Sequence, residues 1–140
     1  MKAFLKSVLS MLLVLAMVGP AAAAEEKVVY HVSDIANAID ALYNIRNHLR
    51  ASPAAKIVLV ANGSAVEFLI EDAKDKNGNP YEIMIQELAA KKVQFRVCNN
   101  SLVGHKIDKS KVVPEATIVP SGVAEIGRLQ SQEGYGYIRP

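Results

Sequence analysis

The sequence predicts an α/β fold, a three-layer α/β/α sandwich around a mainly parallel five-stranded sheet. Three observations carry that expectation. Short β-branched runs alternate with amphipathic stretches along the chain, the pattern of βα units. The run Ile57-Val58-Leu59-Val60-Ala61 is apolar throughout rather than alternating, as suits a parallel strand covered on both faces. Residues 25–140 amount to one domain's worth of chain, and they contain no internal repeat.

Residues 1–24 stand apart from that domain. Lys2 and Lys6 precede an unbroken run of apolar and small residues over 8–18. Gly19-Pro20 and the alanines 21–24 follow, which is the layout of an export signal cleaved near Ala24. A retained anchor is the alternative, but the run falls short of the about 20 residues a spanning helix needs. No cysteine follows the run to carry a lipid. The expectation is a periplasmic or secreted protein with no membrane attachment after cleavage.

The elements then follow in order. Residues 27–32 are strand one, and Ser33 or Asp34 can cap the next helix. In that helix Ile35, Ala38, Ile39, Leu42, Ile45 and Leu49 share one face, His48 falls on the surface, and Pro53 stops it. Strand two is 57–61. Asn62-Gly63 ends it, and Ser64-Ala65-Val66-Glu67 has the capping-box form for a short helix reaching about residue 73. After a turn at 76–80, Tyr81, Met84, Ile85 and Leu88 mark a third helix, with Lys91-Lys92 at its negative end. Strand three is 93–98. Residues 101–115 lack a period and have room for one short helix within a binding loop. Strand four is 116–119. Val123, Ile126 and Leu129 form the stripe of the last helix, Gly134 stops it, and 135–138 close the chain as strand five. The crossovers should be right-handed.

Composition removes several functions. The chain has 16 Lys and Arg against 14 Asp and Glu, and setting aside Lys2 and Lys6 leaves the two signs equal. No basic cluster interleaved with aromatics is present, so nucleic acid is not the partner. Neither G-x-G-x-x-G nor a P-loop occurs, and the three histidines have no H-x-x-x-H spacing. No cofactor and no metal are expected. With one cysteine and no C-x-x-C, neither an internal disulfide nor dithiol exchange is open to the chain.

What remains is where that cysteine stands. In a parallel sheet the loops leaving the strand carboxyl ends line the binding crevice. Those loops are His31-Val32-Ser33, Asn62-Gly63-Ser64, Cys98-Asn99-Asn100 and Pro120-Ser121-Gly122. Cys98 is the candidate reacting atom, because a cysteine ahead of a helix start has a raised thiolate fraction. Asn62, Gly63, Asn99, Asn100, Ser121 and Gly122 are the candidate ligand-binding residues. The alternative is that Cys98 is a small buried hydrophobe, the common fate of a free cysteine, and that Asn62-Gly63 is turn chemistry. His105 comes near Cys98 only if the intervening residues are helical, and otherwise lies on an exposed loop.

Three segments then carry a resemblance. They are Phe95-x-x-Cys98-x-Asn100-x-Leu102, Val119-Pro120-Ser121-Gly122-Val123 followed by Arg128-Leu129-Gln130, and the ending Glu133-Gly134-Tyr135-Gly136-Tyr137-Ile138-Arg139-Pro140. With Asn47 and Asn62-Gly63, they resemble the DsrE/DsrF-like family, and above all its exported members. The resemblance implies the sandwich fold and subunits associated as trimers or hexamers. It also implies a cysteine carrying sulfur as a persulfide, as in the cytoplasmic sulfur-oxidation and transfer-RNA thiolation members, with a sulfur donor or acceptor protein, or a sulfane-sulfur small molecule, as partner. Two functions are therefore expected: a sulfur carrier or relay component using Cys98, or an oligomeric small-ligand module in which Cys98 only packs.

Overall fold

A computed structural model describes residues 22–140. The export-signal reading therefore falls almost wholly outside the described residues.

Five strands form one sheet: β1 (Lys27–Val32), β2 (Lys56–Ala61), β3 (Gln94–Cys98), β4 (Ala116–Val119) and β5 (Gly136–Ile138). Their order is β4-β3-β2-β1-β5, and every pairing is parallel. The helices are α1 (Ala38–Ala51), α2 (Tyr81–Ala90), α3 (Asn99–Gly104) and α4 (Gly122–Glu133). Period-two alternation divides the strand side chains into two cores. Val28, Tyr30, Val32, Ile57, Leu59, Phe95 and Val97 join Leu42, Ile45, Ile85, Leu88 and Leu102 on one face. Val29, Val58 and Val60 meet Ile126, Leu129 and Tyr135 of α4 and the segment after it on the other. The two faces of β2 lie in different cores, which is why its sequence is apolar throughout.

Handedness explains this division. From β1 to β4 the chain steps one strand at a time in one direction, so right-handed crossovers put α1, α2 and α3 on the same face. The return from β4 to β5, beside β1, runs the opposite way and must cross the other face, where among the described residues α4 lies alone. One helix cannot cover five strands. Beside it, over β3 and β4, lies an open cleft of about 710 Å³ walled by Arg96, Thr117, Val119, Glu125 and Arg128.

Arg96 of β3 pairs there with Glu125 of α4, and Arg128 grips the same carboxylate through Nε (2.9 Å) and Nη2 (2.8 Å). Glu125 is well shielded from water, so its charge needs these partners. Arg96→Ala leaves Glu125 with Arg128 alone and is expected to cost about 1–2 kcal/mol in urea unfolding. An unchanged midpoint would show that the pair does not secure α4 to the sheet.

Several local expectations are corrected. Ser64 does not open a capping box. Its hydroxyl accepts from the N–H of Ile35 (3.1 Å), and the segment is a 3-10 helix over Gly63–Leu69 rather than an α-helix to residue 73. The long-range bond takes the group that a local cap would have used. Of the two caps expected after β1, Asp34 is the one used, accepting from Ala36 N–H at 2.9 Å in the turn before α1. His48 is not a surface residue: it bridges the Tyr30 hydroxyl (2.9 Å) and Glu26 (2.6 Å) where the end of α1 lies over β1. Val123, assigned to the buried stripe of the last helix, is 62% exposed, because α4 turns that side away from the sheet. The short helix sought in 101–115 starts earlier, at Asn99, directly on the end of β3.

Candidate functional site

Cys98 is the last residue of β3 and the N-cap of α3. Its neighbour in register is Val119, the last residue of β4. From these adjacent strand ends the chain leaves in opposite directions, into α3 on the crowded face and into α4 on the other. A crevice opens where adjacent loops diverge in this way, the point at which parallel sheets take their ligands. The thiol therefore stands at the switch point of the sheet.

The loops converge closely there. Gly122, the first residue of α4, leaves no room for a side chain. A Cβ at that position would lie 3.2 Å from the Cβ of both Cys98 and Asn62 and 3.4 Å from Val60. Cys98 and Asn62 are thus no further apart at Cβ than twice that distance. Gly63 has φ +56°, and its N–H donates to the Ser101 hydroxyl oxygen at 2.8 Å. The Ser101 hydroxyl and the N–H groups of Gly122, Ser101 and Asn100 are the groups placed to favour a thiolate at Cys98. Asn62 accepts through Oδ1 from His31 Nε2 at 2.8 Å, and His31 Nδ1 meets the Tyr137 hydroxyl at 2.6 Å.

Electrostatics at the sulfur follow from these contacts. Cys98 is 5% exposed, and burial disfavours a thiolate. Against burial stand the Ser101 hydroxyl and the three N–H donors from Gly122, Ser101 and Asn100. Together they outweigh it, and the thiol is held below its ordinary pKa. Such a sulfur can attack an electrophilic sulfur atom and can hold the anion that results.

The other candidate residues divide by role. Cys98, Asn62, Gly63 and Gly122 meet at the crevice. Asn100 contributes its backbone N–H, while its side chain is exposed. The side-chain oxygen of Asn99 is buried without a hydrogen-bond partner among the described residues. The Ser121 hydroxyl is engaged in capping α4, accepting from Ala124 N–H at 3.4 Å. His105 follows the end of α3, exposed, and faces Glu67 at 3.2 Å. Among the described residues no three His, Cys, Asp or Glu side chains gather as metal ligands would, and no helix is long and apolar enough to cross a membrane.

Sequence reasoning set His31 at the crevice edge without a role, and it missed Ser101 and Tyr137. Ser101 had a legible signal, since a residue three positions after an N-cap faces back onto it. His31 and Tyr137 had none, because their contact depends on β5 returning beside β1 across 106 residues.

Comparison with known proteins adds the following. The model of the DsrE/DsrF-like family matches residues 11–140. Among solved structures, a protein of unknown function from Methanobacterium thermoautotrophicum, MTH1491, is 29% identical with a TM-score of 0.73; the match covers 83% of this chain and 100% of that one. The ychN protein from E. coli shares the fold with a TM-score of 0.64 at 14% identity, over 82% of this chain and 100% of that one. No curated protein matches.

Proposed function

The chain belongs to the DsrE/DsrF-like family, and from that premise we propose that it is an exported carrier of sulfane sulfur working through Cys98. The observation that carries this reading is the set of donors on the Cys98 sulfur, which hold the thiol below its ordinary pKa despite burial. In the loading step the thiolate attacks a sulfane sulfur of a polysulfide. The donor's S–S bond breaks, its electron pair leaves with a polysulfide one sulfur shorter, and a new S–S bond forms at Cys98. The product is a persulfide anion. Charge is conserved, and nothing is oxidised or reduced overall. An acceptor thiolate then takes the outer sulfur and returns Cys98 to its starting state. The carrier needs no cofactor for either step.

The export-signal pattern of residues 1–24 supports a periplasmic or secreted site of action, with donor and acceptor met outside the cytoplasm. The equal charges of 25–140 leave no long-range repulsion between like subunits, which supports a homo-oligomer, a trimer or hexamer by family likeness. The second reading, a ligand-binding module with a packed cysteine, is favoured by the slight exposure of Cys98.

Mass spectrometry of the protein lacking residues 1–24, after exposure to polysulfide, separates the two readings. A gain of one or more sulfur atoms, absent in Cys98→Ser, is expected. A thiol that stays unmodified, and that resists alkylation until the protein unfolds, would establish the packing role instead.

A further inference from the structure

Asn62 has a neighbour on either side, and they use different parts of it. It follows β2, the central strand; His31 belongs to β1 on one side, and Cys98 ends β3 on the other. His31 draws the carboxamide oxygen toward β1. With that oxygen engaged by His31, the carboxamide nitrogen is the part of Asn62 left for another partner. The Asn62 NH2 has no hydrogen-bond partner among the described residues. Gly122 keeps the two side chains close by offering no Cβ between them.

The orientation is held from further back. An amide oxygen only accepts, so the neutral His31 ring must carry its proton on Nε2. Its Nδ1 is then an acceptor, and the Tyr137 hydroxyl donates to it at 2.6 Å. A donor chain therefore runs from Tyr137 through His31 to Asn62, and each link fixes the polarity of the next.

We propose that Asn62 is the side-chain donor to the outer sulfur of the Cys98 persulfide, and that His31 and Tyr137 are positioning residues that set its amide the right way round. This rests on the carrier reading of Cys98 and adds the group that recognises its cargo. The Ser101 and backbone donors serve the inner sulfur. The outer sulfur, which takes the charge once the persulfide forms, needs a donor beyond them, and Asn62, whose Cβ approaches that of Cys98 across Gly122, carries an NH2 that can supply it. The ligand class is a terminal sulfur anion on a disulfide bond.

The test compares two rates in each variant: persulfide formation from polysulfide, followed by mass spectrometry, and alkylation of the bare thiol by iodoacetamide. A loosened site slows both, whereas loss of a donor to the outer sulfur lowers their ratio. Asn62→Ala is expected to lower the ratio roughly tenfold, the effect of one hydrogen bond to a charged group. His31→Leu should lower it roughly threefold, and His31→Gln, whose amide nitrogen can replace Nε2 as donor, should restore most of the loss. Tyr137→Phe, at an exposed position that keeps its backbone pairing with β1, should cost roughly twofold and provides a reading if the other variants fold poorly. An Asn62→Ala ratio equal to wild type, or a His31→Gln no better than His31→Leu, overturns the assignment while leaving the carrier intact. A wild-type protein that takes up no sulfur overturns both.

Discussion

Gly63→Ala is expected to lower stability by about 2–5 kcal/mol, the sum of a backbone cost and a steric one. At φ +56° a Cβ meets the following carbonyl, worth about 1–2 kcal/mol in any L-residue. That Cβ would also sit 2.5 Å from the backbone oxygen of Ser33. Ser33 cannot easily withdraw, since Val32 just before it accepts from Asn62 N–H at 3.0 Å and closes the β1–β2 ladder at this point. Crowding a packed site of this kind costs about 1–3 kcal/mol. For a domain of this size the melting midpoint should fall by roughly 8–20 °C. Gly78→Ala is the control: its φ is +84°, but nothing lies within 4 Å of the added carbon, so it reports the backbone cost alone. Equal melting of the two variants would mean that the Ser33 contact is not there. The substitution should also reach the thiol, because Gly63 N–H holds the Ser101 hydroxyl beside Cys98.

Ser101→Ala is expected to slow alkylation of Cys98 at neutral pH by roughly tenfold, the effect of removing one hydrogen bond to a charged acceptor. Burial already opposes ionisation of this thiol, and the Ser101 hydroxyl is the foremost of the groups that overcome it. The rate–pH profile of the wild type should have its midpoint below that of a free cysteine, and the variant's midpoint should move up. A depressed thiol pKa also carries a stability consequence of definite sign. The folded state binds the proton less tightly than the unfolded one, so the contribution is fully present above the unfolded pKa of about 8.5 and is lost as pH falls through the folded value. The stability difference between wild type and Cys98→Ala should therefore grow as pH rises from neutral toward about 8.5. A difference that stays flat or shrinks across that range would show that the sulfur is not held as an anion.

Much of the fold was legible because its signals are local. The apolar run at 57–61, the stop at Gly134 and the alternation of strand and helix each depend on a few neighbouring residues. Each agrees with the structure within a residue or two. Two of the errors share a cause, a side chain taken by a partner distant in sequence. Ser64 reads as a cap until Ile35 claims its hydroxyl, and His48 reads as exposed until Tyr30 and Glu26 enclose it. Val123 lies on the apolar stripe by periodicity, but among the described residues α4 is the one helix on its face of the sheet, and that side stays uncovered.

For the site, the sequence by itself determined which atom could react. It contains one cysteine, at the end of a strand and ahead of a polar turn, and no competing motif for metal, nucleotide or dithiol chemistry. It also determined that the loops after β1, β2, β3 and β4 share one edge, because parallel strands allow nothing else. Only the tertiary structure decided what those loops do to one another. The right-handed return of α4 across the second face brings Gly122 against Cys98 and Asn62 and sets β5 beside β1, where Tyr137 reaches His31. Periodicity and capping act over a few residues, whereas these contacts depend on the order of strands in the sheet, which no local pattern encodes.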